Sequence, residues 1–218
     1  MHYAGARAAA EQVAGEIEAL GRRAAVVGGH LTAEHVAEDL VSGAASGLGG
    51  GVDLLIANAA VQIRQDWRRV DRDAAHRQFD ANIMATIALI QAATPHMIAQ
   101  GWGRIVTIGS IQQWRPHPEM LVYAVMKSGM ENMVRSLAAQ LAPDGITVNN
   151  VAPGVIGTER NADALSDQTY RSRVEDKIPL GRVGCAEECA GVVAMLCAAS
   201  GDYITGVDIP VDGGMRLG

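Results

Sequence analysis

Aromatic residues are scarce in this 218-residue chain, with one Phe, three Trp and four Tyr. Its core must therefore be built from Ala, Val, Ile, Leu and Met, and small side chains of this kind suit close packing of helices on a sheet. Cysteine is almost absent. Cys185, Cys189 and Cys197 are odd in number, and their spacing fits neither a disulfide framework nor a zinc ribbon. They fall in an Ala/Val-rich stretch and read as small hydrophobes on a buried helix face. No apolar run approaches the ~18 residues of a spanning helix. The segment Met1 to Arg7 has no apolar region behind a basic start, so it does not read as a signal peptide. No Lys/Arg run stands out, and the net charge is −6, which gives nucleic-acid binding little electrostatic support. What remains is an ordinary globular composition, 49% apolar and 19% charged, expected in the cytoplasm and long enough for one domain.

Short apolar runs alternate with longer amphipathic segments. Helical spacing over Ala8 to Leu20 is stopped by Gly21. Strands are expected at Ala24 to Val27, Val52 to Ala57, Arg104 to Ile108, Ile146 to Val151 and Val207 to Val211. Helices are expected at Ala33 to Val41 with Thr32 as cap, Arg72 to Gln100, Val122 to Leu141 and Ala186 to Ala199. Repeated β-α units with fully apolar strands imply a doubly wound α/β domain, a parallel sheet covered by helices on both faces. On such a sheet, ligands sit beyond the carboxyl ends of the strands.

The chemistry is concentrated there. Gly109-Ser110 follows the strand Arg104 to Ile108, and Tyr123 comes thirteen residues later, four before Lys127. Residues four apart share a helix face. An ammonium beside a phenol favours the phenolate, so Lys127 is expected to lower the Tyr123 pKa. Such a Tyr exchanges protons with an alcohol or carbonyl, and a Ser hydroxyl can hold the same oxygen.

With these residues in place, the sequence resembles the short-chain dehydrogenase/reductase family over essentially its whole length. Within it the likeness leans toward the 3-oxoacyl-carrier-protein reductase and sugar dehydrogenase branches. The resemblance implies a Rossmann-like fold and an NAD(P)(H)-dependent interconversion of a small polar ketone and secondary alcohol. Tyr123 would be the general acid/base, Lys127 would bond the nicotinamide ribose, and Ser110 would orient the carbonyl. Asn82, in Phe79-Asp80-Ala81-Asn82-Ile83, matches the family Asn that holds a proton-relay water. Asn58 and Ala59 match the family segment after its fourth strand. Pro153, Gly154, Ile156 and Thr158 match the segment that follows the nicotinamide, with Thr158 bonding the carboxamide. His30 and Leu31 stand where adenine is contacted, although the family's acidic residue is replaced by His30. Pro179-Leu180-Gly181-Arg182 and Tyr203 to Gly214 match structural elements.

The family opens with a strand, a glycine-rich turn and a helix that cradle the pyrophosphate. This chain is expected to begin inside the second strand, at His2-Tyr3, and to form one amino-terminally shortened domain over residues 1–218. In the strand order 3-2-1-4-5-6 the first strand lies mid-sheet. Residues 1–30 are therefore expected to be displaced, re-paired or poorly anchored, unless a partner chain fills the slot. Ser42 to Gly49 reproduces the family glycine pattern, but with a helix before it and a strand after it. It reads as a frayed helix end and a loop, with a phosphate loop as the other reading.

Where the second strand ends, no acid is present to bond a ribose 2′-hydroxyl. Arg7 either meets a 2′-phosphate, which points to NADP with NAD as the alternative, or is a solvated charge at a helix start. Gln112, Trp114 and His117, between Ser110 and Tyr123, are expected to line the substrate pocket. The segment from Arg160 to Arg173 is expected to form a mobile lid. The long helices resemble the family's subunit interface and imply a homodimer or homotetramer. The competing reading is a non-catalytic relative that keeps this interface and holds cofactor poorly.

Overall fold

A computed structural model describes all residues, 1–218. Eight α-helices and six strands alternate along it. The two central strands, β4 (Gly103–Ile108) and β5 (Ile146–Pro153), are buried almost throughout. That is why their sequences show no regular apolar/polar alternation, and why polar residues within them, Thr107, Asn149 and Asn150, are buried too. They pair in parallel, Ile105 with Val148 and Val106 with Asn149. On one side of this pair lies β3 (Leu54–Ala57) and on the other β6 (Asp208–Val211), both parallel. The order is β3-β4-β5-β6.

Two layers of helices cover the sheet. Ile90, Ala93 and Met97 of α4 (Ala85–Gln100) and Val134 and Ala138 of α5 (Leu121–Leu141) pack on Ile105, Ile146 and Val148. Leu196 of α8 (Ala186–Cys197) packs on the opposite face, against Val106 and Val151. Each such fully buried aliphatic side chain contributes roughly 1.5–3 kcal/mol. No helix is long and apolar enough to cross a membrane.

The first two strands stand apart. β1 (His2–Tyr3) and β2 (Val27–Gly28) form their own two-stranded parallel sheet, and β1 does not pair with β3. Residues 2–3 and 27–28 thus pair with each other and not with the main sheet. α1 (Arg7–Ala19) follows β1, and α2 (Val36–Leu48) packs on α4. Leu54 and Ile56, two apart and so on one face of β3, are 44% and 40% exposed.

Several local expectations are corrected. The glycine-bearing stretch Ser42 to Leu48 is neither frayed nor a phosphate loop: it forms the last turns of α2, closed by Gly49 at φ +73°. Three of its positions, Ala44, Ala45 and Leu48, are good helix formers that outweigh two glycines. Thr32 caps nothing, because the helix starts later, after His35 in the left-handed region. The long helix from Arg72 is broken. α3 (Arg72–Phe79) passes through a π-helical turn, Asp80–Met84, into α4. The lid segment is two short helices, α6 (Glu159–Ser166) and α7 (Gln168–Glu175), the second capped by the Asp167 carboxylate.

Strands joined by so few pairs open more readily than a buried central pair. Native-state hydrogen exchange at Tyr3, Val27 and Gly29 is expected to be at least about 100-fold faster than at Ile105, Val106 and Val148. Equal protection in the two sheets would show that they unfold as one unit.

Candidate active site

The carboxyl ends of β3, β4 and β5 open into one cavity of about 1210 Å³. Ser110, Tyr123 and Lys127 line it, as do Asn58 and Ala59 after β3 and Pro153, Gly154, Ile156 and Thr158 after β5. Gln112 and His117 line it from the loop between Ser110 and α5. Spacing along the chain is thus converted into proximity by the parallel register, which ends three strands at the same level.

Ser110 begins a 3₁₀ turn, Ile111–Gln113, and its Oγ accepts from the Gln112 backbone N–H at 3.2 Å. The turn is fixed from below. Gln113 donates to the Asp208 carboxylate, which also accepts from Asn150 Nδ2 at 3.0 Å. Asn150 Oδ1 accepts from Thr107 at 2.6 Å. Burial pushes the Asp208 carboxyl up, and its bonds from Gln113 and Asn150 oppose this. Gly109 is needed at this crossing, since a Cβ there would fall 2.3 Å from Asn150 Nδ2 and 2.9 Å from Gln113 Oε1.

Tyr123 and Lys127 are buried on the inner face of α5. Lys127 Nζ donates to the Ile108 carbonyl at 2.7 Å and lies 5.5 Å from the Tyr123 ring centre. Burial brings its ammonium down to about 8, with the nearby charge of Arg160 adding to the effect. The expected lowering of Tyr123 is not what the surroundings produce. Burial raises the phenol, and the charge of Arg160 with hydrogen bonds from Ser110 and Arg160 opposes that rise. Desolvating an anion outweighs these contacts here.

Asn82 lies in the π-helical turn, fully buried. Its Nδ2 donates to Val61 O at 2.8 Å and Gln78 O at 2.7 Å, while its Oδ1 is buried without a partner. π-helical turns recur where a side chain must be aimed away from regular helix geometry. Asn82 is not among the cavity-lining residues; it lies behind them.

Other candidates fall elsewhere. Trp114 does not line the cavity. It is stacked on the Arg216 guanidinium at 5.4 Å, which draws it toward the C-terminus. Arg7 is exposed and paired with Glu11 at 2.7 Å, the i, i+4 partner on its own helix. His30 bonds Thr32 Oγ1 at 2.9 Å, and neither it nor Leu31 reaches the cavity. The cysteines are not a buried face: Cys185 is exposed, and half-buried Cys189 and Cys197 line the cavity from α8, their thiols pushed up by burial. The sequence reading passed over Gln113, Asp208 and Arg160. For Arg160 a signal existed: it lies two residues beyond Thr158, in a segment with two further arginines and a lysine up to Lys177.

Below about pH 8 the Lys127 amine is charged in both folded and unfolded chains, and the folded chain bears the full penalty of burying that charge. Between about 8 and the ordinary 10.5 the folded amine is neutral while the unfolded one still binds a proton, so the penalty fades as pH rises. Lys127→Met removes this titration. The melting-temperature difference between parent and variant is expected to shift in the parent's favour from pH 7 to pH 10. A difference that does not vary with pH would contradict the assignment.

Comparison with known proteins extends this geometry. A family profile described as enoyl-(acyl carrier protein) reductase matches residues 1–216. The L-rhamnose 1-dehydrogenase (NAD(P)(+)) of Sphingomonas sp. is 35% identical over 218 residues, all of this chain and 85% of that protein. The 3-oxoacyl-(acyl-carrier-protein) reductase of Aquifex aeolicus is 37% identical over 165 residues, 76% of this chain and 66% of that protein. Among solved structures, a Burkholderia cenocepacia gluconate 5-dehydrogenase in complex with NADP and tartrate superposes with a TM-score of 0.91 at 26% identity. It covers 100% of this chain and 85% of that one. A 3-oxoacyl (acyl-carrier-protein) reductase from Agrobacterium tumefaciens with NADP bound gives 0.88 at 31% identity, covering 97% and 82%. The doubly wound sheet, the Ser110–Tyr123–Lys127 wall and these likenesses together establish that the chain belongs to the short-chain dehydrogenase/reductase family, whose dehydrogenase and reductase members are enzymes.

Proposed function

We propose that this chain interconverts a small polar ketone and its secondary alcohol with NADP(H), NAD being the alternative. The observation that carries this reading is the convergence of Ser110, Tyr123 and Lys127 with Asn58 and Thr158 on one cavity. The donor set fits the nicotinamide end of such a cofactor. Thr158 occupies the cap position of α6 yet makes no capping bond, so its hydroxyl remains available to a ligand. Asn58, Ala59, Lys127 and the segment Pro153 to Thr158 would hold that end. The cofactor, when bound, supplies or accepts the hydride.

The protein's own part is orientation and proton transfer. Ser110 donates its hydroxyl hydrogen to the substrate oxygen and fixes it beside Tyr123. In reduction the Tyr123 hydroxyl gives its proton to that oxygen; in oxidation the phenolate takes it back. A phenol raised by burial is protonated at neutral pH, which suits reduction. Lys127 is anchored by the Ile108 carbonyl and re-supplies the proton. Asn82, whose Oδ1 has no protein partner, is assigned the relay toward it.

We assign the NADP preference by analogy with the two NADP-bound relatives, since Arg7 is already paired with Glu11. Phe79, Met84, Ile98, Leu121 and Val125 are exposed on the α3–α5 surface, which supports pairing of two or four copies through these helices. One observation favours the competing non-catalytic reading: β1 and β2 are not joined to the main sheet.

Tyr123→Phe separates the readings. It is expected to lower kcat/KM for ketone reduction by about 100- to 10,000-fold while leaving NADPH binding within a few-fold of the parent. An unchanged rate, or a parent chain that reduces no polar ketone, overturns the proposal.

A further inference from the structure

The cavity's charge is opposite to that of the chain. The chain has 24 acidic and 18 basic residues, yet Arg64, Arg115, Lys127, Arg160, Arg173 and Lys177 all line the cavity against a single acid, Glu159. None of these six cations has a carboxylate partner within 4 Å. Six of the remaining twelve bases do: Arg7, Arg68, Arg104, Arg135, Arg171 and Arg182. Acids have thus been kept away from the cavity while cations are left unspent in it. A concave wall of one sign raises the local concentration of ions of the other.

Apart from Lys127 itself, Arg160 is the cation whose charge acts on Tyr123 and Lys127. Rooted in the first turn of α6, it crosses to the β3 side, where its guanidinium donates to the Ala60 carbonyl at 3.2 Å. Its charge acts on both Tyr123 and Lys127, which line the same cavity. One backbone carbonyl uses little of a five-donor fork. A neutral polyol would be served by Ser110, Gln112, Asn58 and Thr158 alone. A guanidinium fork matches a carboxylate in two parallel bonds, which a hydroxyl cannot supply. Arg115 and Arg64 extend the same sign from the facing loops, while Arg173 and Lys177 extend it from α7 and the turn after it.

We propose that the substrate of this site is an anion, a hydroxy acid and its keto acid, whose carboxylate is held by Arg160 while its carbonyl lies between Ser110 and Tyr123. The inference rests on the oxidoreductase reading above and names its substrate class. The other source of negative charge is the cofactor's own phosphates. Arg160 shares the cavity wall with Tyr123 and Lys127 and its charge acts on both, which puts it at the proton-transfer end, where the substrate sits, and so favours the substrate.

Calorimetric titration of the full chain with L-tartrate and with L-threitol, its counterpart with both carboxylates reduced to alcohols, tests this without turnover. Tartrate is expected to bind at least about tenfold more tightly, a difference of ~1.4 kcal/mol. Arg160→Met is expected to remove that preference and Arg160→Lys to keep part of it, with NADPH affinity within about threefold of the parent. The inference is overturned if tartrate and threitol bind alike, if neither binds, or if Arg160→Met keeps the preference. It is also overturned if the loss falls on NADPH, which assigns Arg160 to a cofactor phosphate. The two proposals fail separately. A chain that reduces neutral ketones through Tyr123 and shows no tartrate preference refutes only the anion. A chain that binds tartrate through Arg160 and reduces no carbonyl refutes only the reaction.

Discussion

A buried ammonium bonded to the last carbonyl of the central strand holds this site together. Lys127 is 1% exposed and donates to Ile108 at 2.7 Å. That bond ties α5 to the carboxyl end of β4, and with α5 comes Tyr123, one turn earlier on the same face. It also places the start of the Ser110 turn directly beyond the strand. The charge is costly to bury, and its depressed pKa records that cost. It is tolerated because the surrounding helix–sheet core, with Met97, Ile105, Val134 and Val148 all but sealed from solvent, leaves no cheaper arrangement of the two elements.

From this fixed point the remaining parts follow in order of burial. Asn150, Asp208 and Gln113 prop the Ser110 turn from beneath, within a crossing so tight that only glycine fits at position 109. Beyond the strand ends the structure loosens into short helices and loops, and there the cavity gathers its positive charge. On the side of β3 that faces α8 the wall is apolar, with Leu54, Ile56 and Val193 among its residues. The cavity therefore has one anion-seeking region near Tyr123 and one greasy region along β3, so different parts of a bound molecule meet different chemistry.

The sequence made the central features readable because they obey strong local rules. A short β-branched run without alternation, such as Arg104 to Ile108, reads as an inner strand, and Tyr123 and Lys127 are forced onto one face by helical period. What escaped depended on contacts that no period encodes. Ser42 to Leu48 carries a loop-like glycine pattern, yet neighbouring Ala and Leu residues and packing of α2 on α4 keep it helical. Trp114 was placed by sequence position in the pocket wall, and a cation 102 residues later pulls it out. The Tyr123 pKa was misjudged because spacing reveals the nearby Lys but not the depth of burial, which governs the shift. The spacing from Thr158 and the neighbouring cations mark the segment of Arg160, but its reach to the cavity beside Tyr123 and Lys127 shows only in space.

All of these arguments converge on one claim, that the nicotinamide end of the site is assembled and ready within this chain. Titration of the parent protein with NADPH, followed by the rise and blue shift of nicotinamide fluorescence, tests it most directly. Saturable binding at micromolar concentration, about −8 kcal/mol, is the predicted result. No binding at millimolar NADPH would contradict the account.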